Sequence, residues 1–264
     1  MNWGMQNRMS RIFQPHDGRT TMLAVDHGYF LGPTSGLEDM TTNIDPLVQY
    51  ADCLMVTRGA LRSSINPNNN VPVMLRVSGG SSVLKDLSDE DIYNSMEDAI
   101  RINATGVAVS MFVGSANERQ TVINLTKMIN EGERYGIPVL AVTAVGKDMV
   151  RDERYLSLCS RMAAELGARI VKTYYCDGFA DLIKKVSVPV VVAGGKKIPE
   201  KDALQLTYNC INDGAAGVDM GRNIFQSECP AAMIQSVRHI VHDNATVDKA
   251  WDLFNTLKSE LAKK

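Results

Sequence analysis

The sequence has few of the features that mark a membrane, secreted or polyanion-binding protein. No apolar run approaches the ~18 residues that a membrane-spanning helix needs, and residues 1–6 do not form the apolar core of a signal peptide. The formal net charge of −2 gives no overall basic surface. We therefore expect a soluble cytoplasmic protein that binds neither membrane nor nucleic acid.

Cysteine pairs and linkers are missing as well. The five cysteines are scattered without a CxxC pair, which argues against a zinc site or a disulfide framework and favours reduced thiols. No Gly/Ser/Pro-rich or low-complexity stretch divides the 264 residues, so we expect one domain over residues 1–264. Aromatic residues make up only 6% of the chain, and the adjacent pair Tyr174-Tyr175 gives no basis for a nucleic-acid platform.

The chain does contain eight short apolar runs separated by amphipathic segments. Continuous apolar runs are typical of parallel strands that are covered on both faces, and eight strand–helix repeats favour a closed TIM (β/α)₈ barrel over a doubly wound sheet. Residues 1–20 are expected to form an extension over the barrel, and residues 245–264 a final helix. The predicted strands are Thr21–His27, Cys53–Thr57, Val71–Val77, Gly106–Val113, Pro138–Thr143, Arg169–Tyr174, Val188–Ala193 and Gly217–Met220.

Amphipathic periodicity places helices between these strands. Residues 61–70 are at best a weak helix. The helix over Asp89–Ile102 takes Ser88 as its N-cap, with Asp91 three residues later. The other predicted helices are Glu118–Tyr135, Tyr155–Leu166, Lys201–Ile211 and Ala231–Val241.

Lys172 lies inside the sixth predicted strand. Burying a charged amine is costly, so the residue must be paired or must serve as a nucleophile. Two interpretations stay open. Lys172 is a structural ion pair on the barrel wall, with Asp26 as a candidate partner, or it forms an imine with a carbonyl substrate. A nearby carboxylate is compatible with both, because it can also shuttle protons.

Glycines follow the last two predicted strands, where barrels commonly bind phosphate. Gly194 and Gly195 follow the seventh strand, and Gly221 and Arg222 follow the eighth. Glycine lets backbone N–H groups approach phosphate oxygens, and arginine adds a two-pronged contact. Ordinary tight turns are the alternative, but the two loops together predict a phosphate site.

Other polar residues at the strand ends are candidates with less definite roles. His27, beside Asp26, is a base, an oxyanion donor or a structural hydrogen-bonder. Cys176 has nothing near it in sequence that activates a thiol, so we do not assign it as a nucleophile. Arg58 and Arg76 either bind substrate or pair within the barrel, and Ser78 and Lys147 are further candidates for substrate or phosphate binding.

Together these segments resemble the class I aldolase family that includes archaeal-type fructose-bisphosphate aldolase. The resemblance implies that Lys172 forms a Schiff base and that Asp26 lies in the active site. Those aldolases carry an acid/base tyrosine at the end of strand five, where this chain has Thr143. The matching motifs are Val25–Gly28, Gly146-Lys147, Ile170–Thr173, Val192–Gly195 and Gly221–Phe225.

The replacement of this tyrosine by Thr143 is itself similar to a narrower group within that family. These are the 3-hydroxy-5-phosphonooxypentane-2,4-dione thiolases of autoinducer-2 breakdown. The resemblance implies acetyl transfer to coenzyme A, with acetyl-CoA and glycerone phosphate as products, and proton transfer by Asp26 and His27. Coenzyme A is then a cosubstrate, and no bound cofactor or metal is expected. The matching segments are Asn2–Gln6, Ser10–Phe13, Asp26–Phe30, Gly146–Asp152 and Lys172–Tyr175.

The same resemblance implies a homo-oligomer, commonly of ten subunits, and relatives whose sequences begin earlier than this one. Two other functions stay open. The first is an aldolase or aldol-type synthase acting on a phosphorylated sugar or ketose through the same imine. The second is a phospho-ligand receptor without catalytic activity.

Overall fold

The computed structural model describes residues 2–144 and 150–263, and eight parallel strands at its centre form a closed barrel. Around the barrel the strands follow the order β1-β10-β9-β8-β7-β6-β3-β2. The prediction of a TIM barrel is confirmed, and each predicted strand overlaps an observed one. The barrel strands are β1 (Thr20–Ala24), β2 (Cys53–Thr57), β3 (Val73–Arg76), β6 (Gly106–Met111), β7 (Val139–Thr143), β8 (Ile170–Thr173), β9 (Val190–Ala193) and β10 (Gly217–Met220).

Alternate residues of each strand point into and out of the barrel. Leu140 and Ile170 belong to the apolar cluster inside the barrel, whereas Ala141 and Val171 pack outward against the surrounding helices. Lys172 lies two residues after Ile170 on β8 and therefore shares its inward direction. The strand's own periodicity thus places the lysine inside the barrel, near the carboxyl ends of the strands.

A helix near the amino terminus packs against the base of the barrel. Asn2 caps α1 (Trp3–Ile12) by accepting a hydrogen bond from the Met5 N–H at 2.8 Å. Ile12 and Phe13 join the interior cluster that contains Met22 and other side chains of the barrel strands. Residues 1–20 were expected to form an extension over the barrel, and this helix is consistent with that expectation.

Helices surround the barrel. The predicted helix over Glu118–Tyr135 is confirmed at both ends, and those over Tyr155–Leu166, Lys201–Ile211 and Ala231–Val241 agree to within two residues. No helix within residues 2–144 and 150–263 is long and apolar enough to cross a membrane. The longer helices are α6 (Glu118–Tyr135), α7 (Glu153–Glu165), α9 (Glu200–Asn212), α11 (Pro230–Asp243) and α12 (Val247–Leu261); the shorter ones are α2 (Gly28–Leu31), α3 (Met40–Asn43), α4 (Arg58–Ser64), α5 (Met96–Arg101), α8 (Phe179–Lys185), α10 (Arg222–Phe225) and the 3₁₀-helix Asp45–Tyr50.

The predicted helix over Asp89–Ile102 is wrong in its first half. Residues 90–92 form β5 (Glu90–Ile92), which pairs antiparallel with β4 (Ser78–Gly80) beside the barrel mouth. The cap of α5 is Ser95, which accepts from the Asp98 N–H at 3.2 Å. Pairing with a distant segment overrides the local capping signal at Ser88 here.

Candidate active site

The carboxyl ends of the strands surround a cavity of about 260 Å³. This is the end at which barrels of this kind carry their chemistry. The cavity brings together residues from the ends of seven barrel strands, far apart in the sequence. The predicted site residues that line it are Asp26, His27, Arg76, Lys172, Gly194, Gly195, Gly221 and Arg222.

Lys172 forms an ion pair inside this cavity, but its partner is Asp219 and not Asp26. The Nζ atom lies 2.9 Å from Asp219 Oδ2. Neither carboxylate oxygen makes a well-directed hydrogen bond to any atom of residues 2–144 and 150–263. The candidate pairing with Asp26 was therefore wrong. The ion-pair interpretation of Lys172 is confirmed with this other partner, and because the residue also lines the cavity, the imine interpretation stays a prediction.

Sequence reasoning missed Asp219 as a functional residue. The residue was included only as part of the predicted strand Gly217–Met220. Asp219 is nevertheless a fully buried carboxylate in the middle of β10. The argument that singled out Lys172, a charge inside a buried strand, applies equally to Asp219 and would have found it.

The environments of Asp219 and Asp26 move their pKa values in opposite directions. Burial raises the pKa of Asp219, and the nearby Asp26 charge adds to the rise, although Lys172 opposes it. Burial also acts to raise the pKa of Asp26, but the positive charges of Arg76 and Lys172 outweigh it and hold that pKa below its usual value. Two carboxyl groups in one site whose pKa values are shifted in opposite directions can serve separately as acid and as base.

Arg76 fixes the charge of Asp26. It is buried, and its Nη1 lies 3.6 Å from Asp26 Oδ2. Its Nη2 donates to the Tyr29 hydroxyl at 2.6 Å and to Glu90 Oε1 at 3.2 Å, and it also contacts the Ser110 hydroxyl. These partners raise the pKa of Arg76 against the effect of burial. Arg76 therefore acts as a permanent cation at the cavity wall.

Two predicted substrate contacts lie outside the cavity lining. The Ser78 hydroxyl donates to Glu90 Oε2 at 2.8 Å and accepts from the Ser110 N–H at 3.0 Å, so it supports the wall behind Arg76. Arg58 lies on α4, where it donates to Asp98 Oδ2 at 2.7 Å. Both side chains are thus engaged within the protein, and their contact with substrate stays a prediction. Lys147 lies outside the described residues.

His27 is neutral in this setting. Burial lowers the pKa of its imidazole to about 4, although Asp26 opposes the shift. Its Nδ1 is 3.8 Å from Asp26 Oδ1 and has no hydrogen-bond partner in the described structure. A Cβ atom at Gly221 would lie 2.5 Å from His27 Cε1, so glycine is required for the ends of β1 and β10 to approach this closely.

The two glycine loops meet through a side chain that sequence reasoning did not single out. Asn223 donates from Nδ2 to the Gly194 carbonyl at 2.6 Å and accepts from the Ile198 N–H at 2.9 Å. Gly195 has φ +71°, a conformation that glycine adopts readily. We call Gly194, Gly195 and Gly221 the glycine cradle. Arg222 follows Gly221 in sequence, and its buried Nε has no partner among residues 2–144 and 150–263.

Thr143, at the position of the aldolase tyrosine, is part of the cavity wall. The Thr143 hydroxyl lies 2.9 Å from that of Thr173 and 3.1 Å from the Lys172 carbonyl oxygen, so it joins β7 to β8. Tyr29 also lines the cavity, but burial raises the pKa of its hydroxyl, which donates to Glu90 at 2.8 Å. Burial raises the pKa of the Cys176 thiol to about 11, which agrees with its exclusion as a nucleophile.

Comparison with known proteins finds relatives that match nearly the whole chain. The 3-hydroxy-5-phosphonooxypentane-2,4-dione thiolase of Photorhabdus laumondii is 55% identical over 255 residues, covering 96% of this chain and 88% of that protein. The thiolase of the same name from Salmonella typhimurium is 53% identical over 260 residues, covering 98% and 89%.

Solved structures agree in fold. The crystal structure of an archaeal fructose 1,6-bisphosphate aldolase superposes with a TM-score of 0.82 at 24% identity, covering 90% of this chain and 99% of that one. The model of the DeoC/LacD family of aldolases matches residues 20–227. The chain therefore belongs to the DeoC/LacD family of aldolases.

Proposed function

We propose that this protein is a Schiff-base-forming thiolase. It transfers an acetyl group from 3-hydroxy-5-phosphonooxypentane-2,4-dione to coenzyme A and yields acetyl-CoA and glycerone phosphate, in the degradation of phosphorylated autoinducer-2. The observation that carries the proposal is the Lys172–Asp219 pair in a cavity that Arg222 and the glycine cradle also line. The choice of substrate and acceptor rests on the names of the similar thiolases.

The first step is condensation at the carbonyl beside the phosphate-bearing carbon. Lys172 gives a proton to Asp219 at 2.9 Å, and the free amine attacks the carbonyl. Asp219, whose pKa is raised by burial, returns the proton to the departing hydroxyl as water leaves. Asp26 stays ionised beside Arg76 and stabilises the positive charge of the imine.

The second step breaks the bond between the acetyl group and the three-carbon fragment. The thiolate of coenzyme A attacks the acetyl carbonyl, and the electron pair of the breaking bond moves into the imine, which becomes an enamine. The proton of the thiol ends on the enamine carbon. Hydrolysis of the imine then releases glycerone phosphate and regenerates Lys172.

The loss of the tyrosine is consistent with this chemistry. An aldol cleavage must take a proton from a hydroxyl so that the product can leave as an aldehyde. In thiolysis the acetyl fragment leaves as a thioester, and no such proton has to be removed. Thr143 can therefore serve only as part of the wall.

Product analysis tests the proposal. The phosphorylated diketone is incubated with and without coenzyme A, and we expect acetyl-CoA and glycerone phosphate to form in equal amounts only when coenzyme A is present. Glycerone phosphate released at the same rate without coenzyme A would favour an aldol-type cleavage. Saturable binding without turnover would favour a receptor.

The imine has its own test. Borohydride reduction in the presence of glycerone phosphate should attach the three-carbon unit to Lys172, as read by peptide mass spectrometry. Lys172→Met should abolish both labelling and turnover. A variant that is still labelled would show that the imine forms elsewhere, and one that is active without labelling would show that none is required.

A further inference from the structure

A second arginine shares the cavity with Arg222 and has no role in the steps above. Arg151 lies at the start of the segment that leads into α7, and its guanidinium carbon is 3.8 Å from the centroid of the Tyr174 ring. Arg151, Tyr174 and Arg222 all line the cavity. Arg151 is exposed to solvent on its other side, and the cation–π contact with Tyr174 favours a position of its guanidinium at the cavity wall.

The two arginines line the same cavity, and the part of the chain that the structure describes places no compensating negative charge beside them. No carboxylate within residues 2–144 and 150–263 lies within ion-pair distance of Arg151 or Arg222. The adjacent Asp152 is engaged elsewhere, because its Oδ1 caps α7 by accepting from the Tyr155 N–H at 2.8 Å. Arg76, the other arginine of the cavity, instead has both Asp26 and Glu90.

The surroundings disfavour the charged form of Arg222. Burial lowers the pKa of Arg222, and the nearby Arg151 charge acts in the same direction. The buried Nε of Arg222 lacks a hydrogen-bond acceptor. A bound anion would supply the missing acceptor and would offset the repulsion between the two cations.

We propose that Arg151 and Arg222 form a clamp for a phosphate dianion, with Tyr174 as the platform that holds Arg151 in place. The inference deepens the proposed function, because it assigns the clamp to the phosphate of the three-carbon fragment. Asn223, the residue after Arg222, contacts the Gly194 carbonyl, so one arm of the clamp is joined to the glycine cradle. Tyr174 follows β8 two residues after Lys172, so the clamp and the imine share one strand end.

Coenzyme A also carries phosphate groups, and the experiment must separate the two sources. Calorimetric titration with glycerone phosphate does not depend on turnover. Arg151→Gln should weaken its binding by about tenfold or more, the size expected for loss of a hydrogen bond between charged groups. Arg154→Gln, which removes an exposed arginine three residues along and outside this cavity, should bind as the wild type does.

Two further measurements show whether the clamp binds the phosphate of the three-carbon fragment or a phosphate of coenzyme A. Borohydride labelling with unphosphorylated dihydroxyacetone should be unchanged by Arg151→Gln. The KM values for coenzyme A and for pantetheine, which lacks phosphate, should keep their wild-type ratio. Unchanged glycerone phosphate binding in Arg151→Gln, or no binding to the wild type, would overturn the clamp. So would a rise confined to the KM for coenzyme A. Tight binding without labelling of Lys172 would instead refute the imine and leave the clamp standing.

Discussion

At the scale of single residues, two opposite charges inside buried strands define the candidate chemistry. Sequence periodicity is enough to place Lys172 inside the barrel, because inward and outward positions alternate along a strand. It cannot identify the partner, since contacts across the barrel interior depend on strand order and register. Asp26 and Asp219 were both available on that basis, and only the closed barrel places Asp219 at 2.9 Å from the amine.

Asp219→Asn should separate the proton carrier from the nucleophile. The amide has the same shape but cannot accept the proton of Lys172, so we expect borohydride labelling with glycerone phosphate to slow by about 10²–10⁴-fold, the usual contribution of a positioned acid or base. Calorimetric binding of glycerone phosphate should change little, because the phosphate contacts remain. A labelling rate close to that of the wild type would remove Asp219 from the mechanism.

At the scale of helices and strands, the sequence predicts an element correctly where that element has its own hydrophobic periodicity. Helix α6 has a long amphipathic repeat and ends at Gly136, so its bounds are readable from the sequence. The strand β5 has no such repeat. Glu90 is buried because Arg76, on another strand, pairs with it at 3.2 Å, and no local pattern contains that information. The hairpin of β4 and β5 could therefore not be predicted.

The junction of β1 and β10 depends on Gly221 having no side chain. A Cβ there would collide with the Ala24 carbonyl oxygen and with His27 Cε1. We expect Gly221→Ala to lower the free energy of unfolding by about 1–3 kcal/mol, as overpacking does, in urea titrations. Gly59→Ala is the matched control, because that glycine lies in α4 with open space around it, and alanine there should be neutral or slightly stabilising. Equal effects at the two sites would contradict the role assigned to Gly221.

At the scale of the whole molecule, the candidate site and a cluster of charged residues that stabilises the fold lie at opposite ends of the barrel strands. The candidate site occupies the carboxyl ends of the strands. A separate polar cluster joins the segment before β1 to the start of β2 and to α11. His242 lies between two carboxylates, with Nδ1 2.7 Å from Asp17 Oδ2 and Nε2 2.8 Å from Asp52 Oδ2. Asp52 also accepts from the Thr21 N–H at 2.7 Å and from Arg238 at 2.6 Å.

This cluster makes stability depend on pH in a direction that follows from the pKa of His242. Burial lowers that pKa, but the hydrogen bonds to Asp52 and Asp17 outweigh it and raise the pKa above the usual value. The stabilisation from the protonated imidazole is therefore fully present below the unfolded-state pKa of about 6.5 and is lost as pH rises through the higher folded-state pKa. The lowered pKa values of Asp17 and Asp52 make their contribution fall away only in acid.

His242→Gln tests this at the level of the folded chain. Glutamine keeps a polar side chain between the carboxylates but cannot carry the positive charge. In urea titrations, the loss of unfolding free energy relative to the wild type should be larger at about pH 6 than at about pH 9, because only the lower pH keeps the native imidazole charged. His239→Gln is the control, since its pair with Asp243 at 2.8 Å is on the surface and exposed ion pairs contribute little. A loss for His242→Gln that is the same at both pH values would mean that the imidazolium does not hold the base of the barrel together.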